Sequence, residues 1–291
     1  MTAASTPEQR PDGTEQHWFA RIRWGGNALI ALYLSVLSGV VVALQYDVAN
    51  PFHSTVAIEL LAPYGAFWRG LHFYTSQAFF LLLLVHLAMV ITENNHGYRP
   101  GAWARLCATV PLCILLLFTG YVLRGDITGA SAGRIAEQIA LSLPVGGRWC
   151  NDLLFAISDN GLKRVYAQHM VGLVLLGAWC AWEHLRRYRA DWRNHLPLTC
   201  LLLAITLWIA APLDAEQLGQ VHVAGPWFFL GLQELLRYLP PFWAGILLPG
   251  TFVLALLLLP AERRRQRPWL VFAGCWLVLY TIATLIAWQR G

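Results

Sequence analysis

Charge is what this sequence has least of. Lys, Arg, Asp and Glu make up only 13% of its 291 residues, against about 25% in an ordinary soluble domain. Hydrophobic residues reach 57% and mean hydropathy is +0.49, a balance that excludes a water-soluble globular domain. The six cysteines, Cys107, Cys113, Cys150, Cys180, Cys200 and Cys275, form neither C-x-x-C nor C-x-x-C-H. That excludes a cysteine zinc site and a prosthetic group attached through thioethers, and the thiols read as inert apolar packing. No cleavable signal peptide is evident either. Residues 1–20 are polar, with Pro7, Pro11 and Gly13, and residues 1–23 read as a disordered or peripheral tail.

What is present is a series of apolar runs of about 20 residues, the length that crosses the hydrocarbon core of a bilayer. They lie near 27–46, 68–91, 106–124, 165–184, 196–212, 242–260 and 269–288. The fold class expected is therefore all-α, a polytopic membrane protein of about seven transmembrane helices. The net charge of +5 is no nucleic-acid footprint, because the arginines are sorted by topology. Arg10, Arg21 and Arg23 precede the first run, and Arg99 and Arg105 lie between the second and third. Arg186, Arg187, Arg189 and Arg193 follow the fourth, and Arg263, Arg264, Arg265 and Arg267 separate the last two. With seven spans all four groups fall on one face. The positive-inside rule makes that face cytoplasmic, with the N-terminus inside, as expected for the bacterial inner membrane. The connections 47–67, 125–163 and 213–241 then lie on the outer face.

Nine histidines are present. His17, His53, His96, His195 and His222 fall in tails or loops and read as solvated polar residues. The other four fall on two spans: His72 and His86 on the second, His169 and His184 on the fourth. Steps of 14 and 15 residues cover about 21–22 Å of helix and return within about 40–60° of the starting face. Both spans run outside to inside, so His72 and His169 share an outer level and His86 and His184 an inner one. Two facing helices so marked would hold two haem b groups by non-covalent bis-histidine ligation, with no covalent haem c. The other chemistry open to membrane histidines is a proton relay in a transporter without haem. Arg69, one turn before His72, and Lys163 and Arg164, just before His169, are placed either to meet haem propionates or to anchor the helices at the interface. Gly25, Gly26 and Gly39 on the first span permit close approach of a helix or a macrocycle.

"WGGNALIALYLSVLSGVVVALQY" (24–46), "FWRGLHFYTSQAFFLLLLVH" (67–86), "FTGYVL" (118–123) and "LKRVYAQH" (162–169) resemble the first four helices of the cytochrome b family of quinol–cytochrome c oxidoreductases. Gly25 and Gly39 stand fourteen apart, as the family's haem-side glycines do, and the step from His169 to His184 is of the b6 type. "PWFFLGLQELLRYLPP" (226–241) and the two spans after it resemble the companion subunit IV, fused here and one helix short. The resemblance implies a di-haem four-helix bundle over 24–195 and a subunit IV-like part with three helices over 196–291. It further implies a quinone site on the outer face, a second near the inner haem, and a dimer.

Departures from the family pattern bear on mechanism. The family's outer P-E-W-Y motif, whose glutamate takes a quinol proton, is replaced by Gly225-Pro226-Trp227-Phe228. Glu234 is placed either to substitute for it or to be a loop carboxylate in water. The family's P-W-G after "GYVL" is replaced by Arg124-Gly125-Asp126, which makes Asp126 a second proton-acceptor candidate. Arg23 stands where b6-type chains have a cysteine for an extra haem, so no third haem is expected. Three functions follow: a quinol-oxidising subunit working with a Rieske iron–sulfur protein; a non-bifurcating conduit between a periplasmic c-type cytochrome, multihaem or not, and the quinone or menaquinone pool; and a haem-free proton-coupled transporter.

Overall fold

A computed structural model describes residues 22–92, 98–159, 161–216, 223–259 and 263–290. The expectations for His17, His96, His222, Arg10 and Arg21 lie outside these residues. All regular structure among them is helical. Five helices are long and apolar enough to cross a membrane: α1 (Trp24–Ala43), α3 (Gly65–Thr92), α4 (Pro100–Val122), α7 (Leu162–Leu185) and α11, whose apolar part is Arg265–Arg290. The fifth and sixth expected spans are shorter helices, α8 (Leu196–Trp208) and α10 (Trp243–Leu257).

The expected outer connections are not plain loops. They contain α2 (Pro51–Leu60), α5 (Ile127–Leu141), α6 (Gly147–Leu154) and α9 (Leu230–Leu235). Local chemistry explains two of these starts. Pro51 occupies the first turn of α2, where its missing N–H costs nothing. Asp126 caps α5, its side chain accepting from Gly129 N.

The bundle is built from two tightly packed pairs, α1 with α3 and α4 with α7. Across the bundle α3 and α7 make hardly any backbone approach, so the space between them belongs to side chains. Helix α8 lies on α3, and α9 packs on α11. In α7 the residues Gln168–Gly172 form a π turn, a wide turn that takes up one extra residue. It offsets the difference between the 15-residue step on this helix and the 14-residue step on α3. Both histidine pairs can then face the same way.

Two sequence readings change here. His195 is not solvated: it is buried, 3% exposed, with Nδ1 2.6 Å from Asn27 Oδ1. Of the cysteines, all free, Cys107, Cys113 and Cys180 pack inside. Cys200 and Cys275 are exposed on the outside of α8 and α11, so the packing role fails for them.

Candidate functional site

The four span histidines meet in two pairs. The rings of His72 and His169 have centroids 6.1 Å apart, and those of His86 and His184 are 5.8 Å apart. A metal–imidazole bond of about 2.0–2.1 Å, plus about 1.1 Å from nitrogen to ring centre, puts two rings that ligate one metal from opposite sides about 6.3 Å apart. Both separations meet that requirement to within about half an ångström.

Hydrogen bonds decide which nitrogen is offered. His72 Nδ1 is 2.8 Å from Ser35 O. A carbonyl only accepts, so Nδ1 carries the proton and Nε2 keeps its lone pair. His169 Nδ1 is 2.9 Å from Thr119 Oγ1, whose own proton goes to Leu115 O at 2.8 Å. With that proton on the carbonyl, the hydroxyl accepts from the imidazole and Nε2 is again bare. In the second pair His184 Nδ1 is 2.7 Å from the phenol of Tyr98. Orientation of a ligand imidazole through its second nitrogen is the usual support of a histidine metal ligand.

Glycines clear the remaining wall. A Cβ at Gly39 would stand 2.8 Å from His72 Cε1, one at Gly25 2.9 Å from His86 Cε1, and one at Gly120 3.0 Å from His169 Cε1. The first two carry the sequence expectation; Gly120, Ser35, Thr119 and Tyr98 were missed. Gly120 lies inside the quoted "FTGYVL", but no periodicity in one sequence marks a hydroxyl or a carbonyl as an imidazole's partner.

The remaining candidates are engaged elsewhere. Arg69 gives its guanidinium to Glu59 and to the carbonyls of Ala211 and Pro212. Arg124 binds the same Pro212 carbonyl at 3.2 Å. With Tyr74 on Ala210 O, they strap the segment after α8. Arg164 is exposed.

Asp126 is completely buried. It accepts from Gly129 N, Thr128 Oγ1 and Asp214 N and pairs with Arg124 at 2.9 Å. Glu234, 3% exposed, is held by Arg290 at 2.6 Å and Arg237 at 3.3 Å, with Tyr238 donating to it at 3.0 Å. It is therefore no loop carboxylate in water. Trp227 donates to Gln77 Oε1, and Tyr280 donates to Phe228 O. Those bonds fold the 226–229 segment over Phe80 and Phe118.

The model of the family described as cytochrome b/b6/petB matches residues 14–189. The chain is 27% identical over 159 residues to cytochrome b6 of Heliobacterium mobile, covering 52% of this chain and 74% of that one. It is 25% identical over 167 residues to the menaquinol:cytochrome c reductase cytochrome b subunit of Geobacillus thermodenitrificans, covering 54% and 75%. Among solved structures it resembles a hyperthermophilic respiratory Complex III chain, with a TM-score of 0.67 at 19% identity, over 90% of this chain and 83% of that one. That likeness concerns the fold and, at 90% of this chain, reaches into the last third. Because the family match spans all four bundle helices and ends just past His184, the chain belongs to the cytochrome b/b6 family: it is a multi-pass membrane b-type cytochrome of electron transfer.

Proposed function

We propose that the chain is the di-haem b subunit of a quinol-linked electron-transfer complex, with His72 and His169 ligating an outer haem b and His86 and His184 an inner one. The observation that carries this reading is the pair of imidazole couples, each at the separation one iron requires, stacked about 21 Å apart along the helices. His72 with His169 and His86 with His184 would each hold one haem, which would supply one-electron transfer. The chain's part is positioning. Ser35 and Thr119 hold the outer ligand tautomers, and the glycines leave room for flat groups against the rings. Apolar helix surfaces exclude water. Moving a unit charge across the full membrane is worth about 2.3 kcal/mol per 100 mV, so a two-level arrangement couples electron flow to the potential. The quinone site of this reading is on the outer face, beside the Trp227 segment. The chain sits in the bacterial inner membrane with a cytoplasmic N-terminus, as the arginine sorting suggests, and forms a homodimer. Its redox partners are the quinone pool and a Rieske iron–sulfur protein.

A specific observation favours a second reading, the non-bifurcating conduit with a c-type cytochrome, multihaem or not, as the outer partner. Both carboxylates nominated to take quinol protons are committed to ion pairs, Asp126 to Arg124 and Glu234 to Arg290.

The deciding experiment is a pyridine haemochrome count with a reduced-minus-oxidised spectrum, followed by quinol reduction of an Asp126→Asn, Glu234→Gln chain. Two b haems per chain are expected. Quinol reduction that survives the double substitution selects the conduit, and its loss selects quinol oxidation through those carboxylates. A folded, colourless protein would overturn both and leave the haem-free transporter.

A further inference from the structure

Resting on the di-haem reading, we infer that Tyr98 is a positioning residue that sets the inner haem apart from the outer one: its phenol oxygen accepts a hydrogen bond from His184 Nδ1–H and thereby tunes the potential of the inner haem. At the outer level each imidazole has a partner placed to accept its Nδ1 proton in a hydrogen bond. Ser35 O can only accept, and the Thr119 hydroxyl has already given its proton to Leu115 O. At the inner level the partner is a phenol, 2.7 Å from His184 Nδ1, able to donate or accept. A ligand bond at Nε2 removes that freedom: Nδ1 must then be the donor and the phenol oxygen the acceptor.

The two acceptor types differ in strength. A phenol oxygen, its lone pair shared with the ring, is a poorer acceptor than a peptide carbonyl. A strongly accepted Nδ1 proton raises imidazole basicity and stabilises the more charged ferric state, and hydrogen bonding around the ligands is one of the levers that set the potential. Tyr98 therefore stabilises the ferric inner haem less than a carbonyl at that position would, and more than no acceptor would.

Tyr98 is built to hold this contact. It lies two residues before Pro100 opens α4, and its ring packs on the cluster of Ile91, Trp103, Cys107, Leu256 and Leu259. Seven residues on from Tyr98, Arg105 of α4 pairs with Glu183 at 2.7 Å, the residue next to His184. The start of α4 thus grips the inner end of α7 at two points, one of them on the ligand itself.

The test is a redox titration of the complete purified chain at pH 6.5, with the inner component identified as the one that disappears in His86→Ala. Tyr98→Phe keeps the packing and removes the acceptor; the inner midpoint should rise while the outer midpoint stays put. Incorporating 3-fluorotyrosine at position 98 keeps the geometry and weakens the acceptor, and should give a smaller rise. That second chain decides the matter if Tyr98→Phe loses haem. An inner midpoint that does not move in a chain still carrying two haems, or equal movement of both midpoints, overturns the assignment of Tyr98 and leaves the di-haem reading standing. A wild-type chain without two haems overturns the di-haem reading itself.

Discussion

The membrane interior and the outer layer of this molecule treat their functional candidates in opposite ways. Inside the bundle, four histidines sit in apolar helices with few competing polar groups, and they meet in two pairs aimed at the space between α3 and α7. In the outer layer the nominated carboxylates lie among arginines, hydroxyls and free backbone amides. Each is absorbed by its neighbours: Asp126 becomes a helix cap and a tie to Asp214, and Glu234 becomes a clasp for Arg290. A polar side chain in a hydrocarbon-facing helix has few partners, so one that persists there is read from its position. A polar side chain in a loop layer has many, and only the folded chain chooses among them.

The largest effect expected from probing this contrast is at Gly39. A valine there would put atoms 2.8 Å or less from the His72 ring. Gly39→Val should therefore displace that ligand and halve the haem count, read by pyridine haemochrome. Gly177→Ala is the control, because a Cβ there meets nothing within 4 Å; it should keep both haems.

Asp126→Ala tests the outer layer. It removes the α5 cap and leaves the nearly buried Arg124 with Asp214, at 3.6 Å, as its nearest carboxylate, beside its bonds to Pro212 O and Thr128 Oγ1. A cost of about 3 kcal/mol is expected, within the range for breaking a buried pair. It should appear as a lowered denaturation midpoint in detergent with the haem count unchanged. Haem loss without destabilisation would collapse the distinction between the two regions.

The smallest effect concerns Glu137 of α5, 3% exposed. Burial pushes its carboxyl up, but hydrogen bonds from Ser158 and Asn151 outweigh that and hold it below its ordinary value of 4.5. A depressed folded value stabilises the fold above the ordinary carboxylate range and is lost as pH falls through it. Melting measured at pH 7 and pH 4 should show less acid sensitivity in Glu137→Gln than in wild type. An identical acid response in both chains would remove Glu137 from the account.

Much of the fold was legible because membrane helices are written in composition and length. Trp24–Ala43, Gly65–Thr92, Pro100–Val122 and Leu162–Leu185 all follow from apolar runs. The outer helices were missed for the same reason in reverse. Ile127–Leu141 and Gly147–Leu154 are short and mixed in polarity, and they depend on caps and neighbours for stability. His195 was misread because its burial comes from Asn27 and the approach of Gly26, some 168 positions away in the case of Asn27.

By itself the sequence determined the membrane class and the level of each span histidine, since helix rise and twist turn residue number directly into depth and direction, while the family resemblance pointed to the glycines that face two of them. Only the tertiary structure decided the π turn that offsets a 15-residue step against a 14-residue one, the partner of each Nδ1, and the fate of Asp126 and Glu234. Those outcomes depend on which side chains other helices bring within about 3 Å, the reach of a hydrogen bond, and no spacing along one chain encodes that.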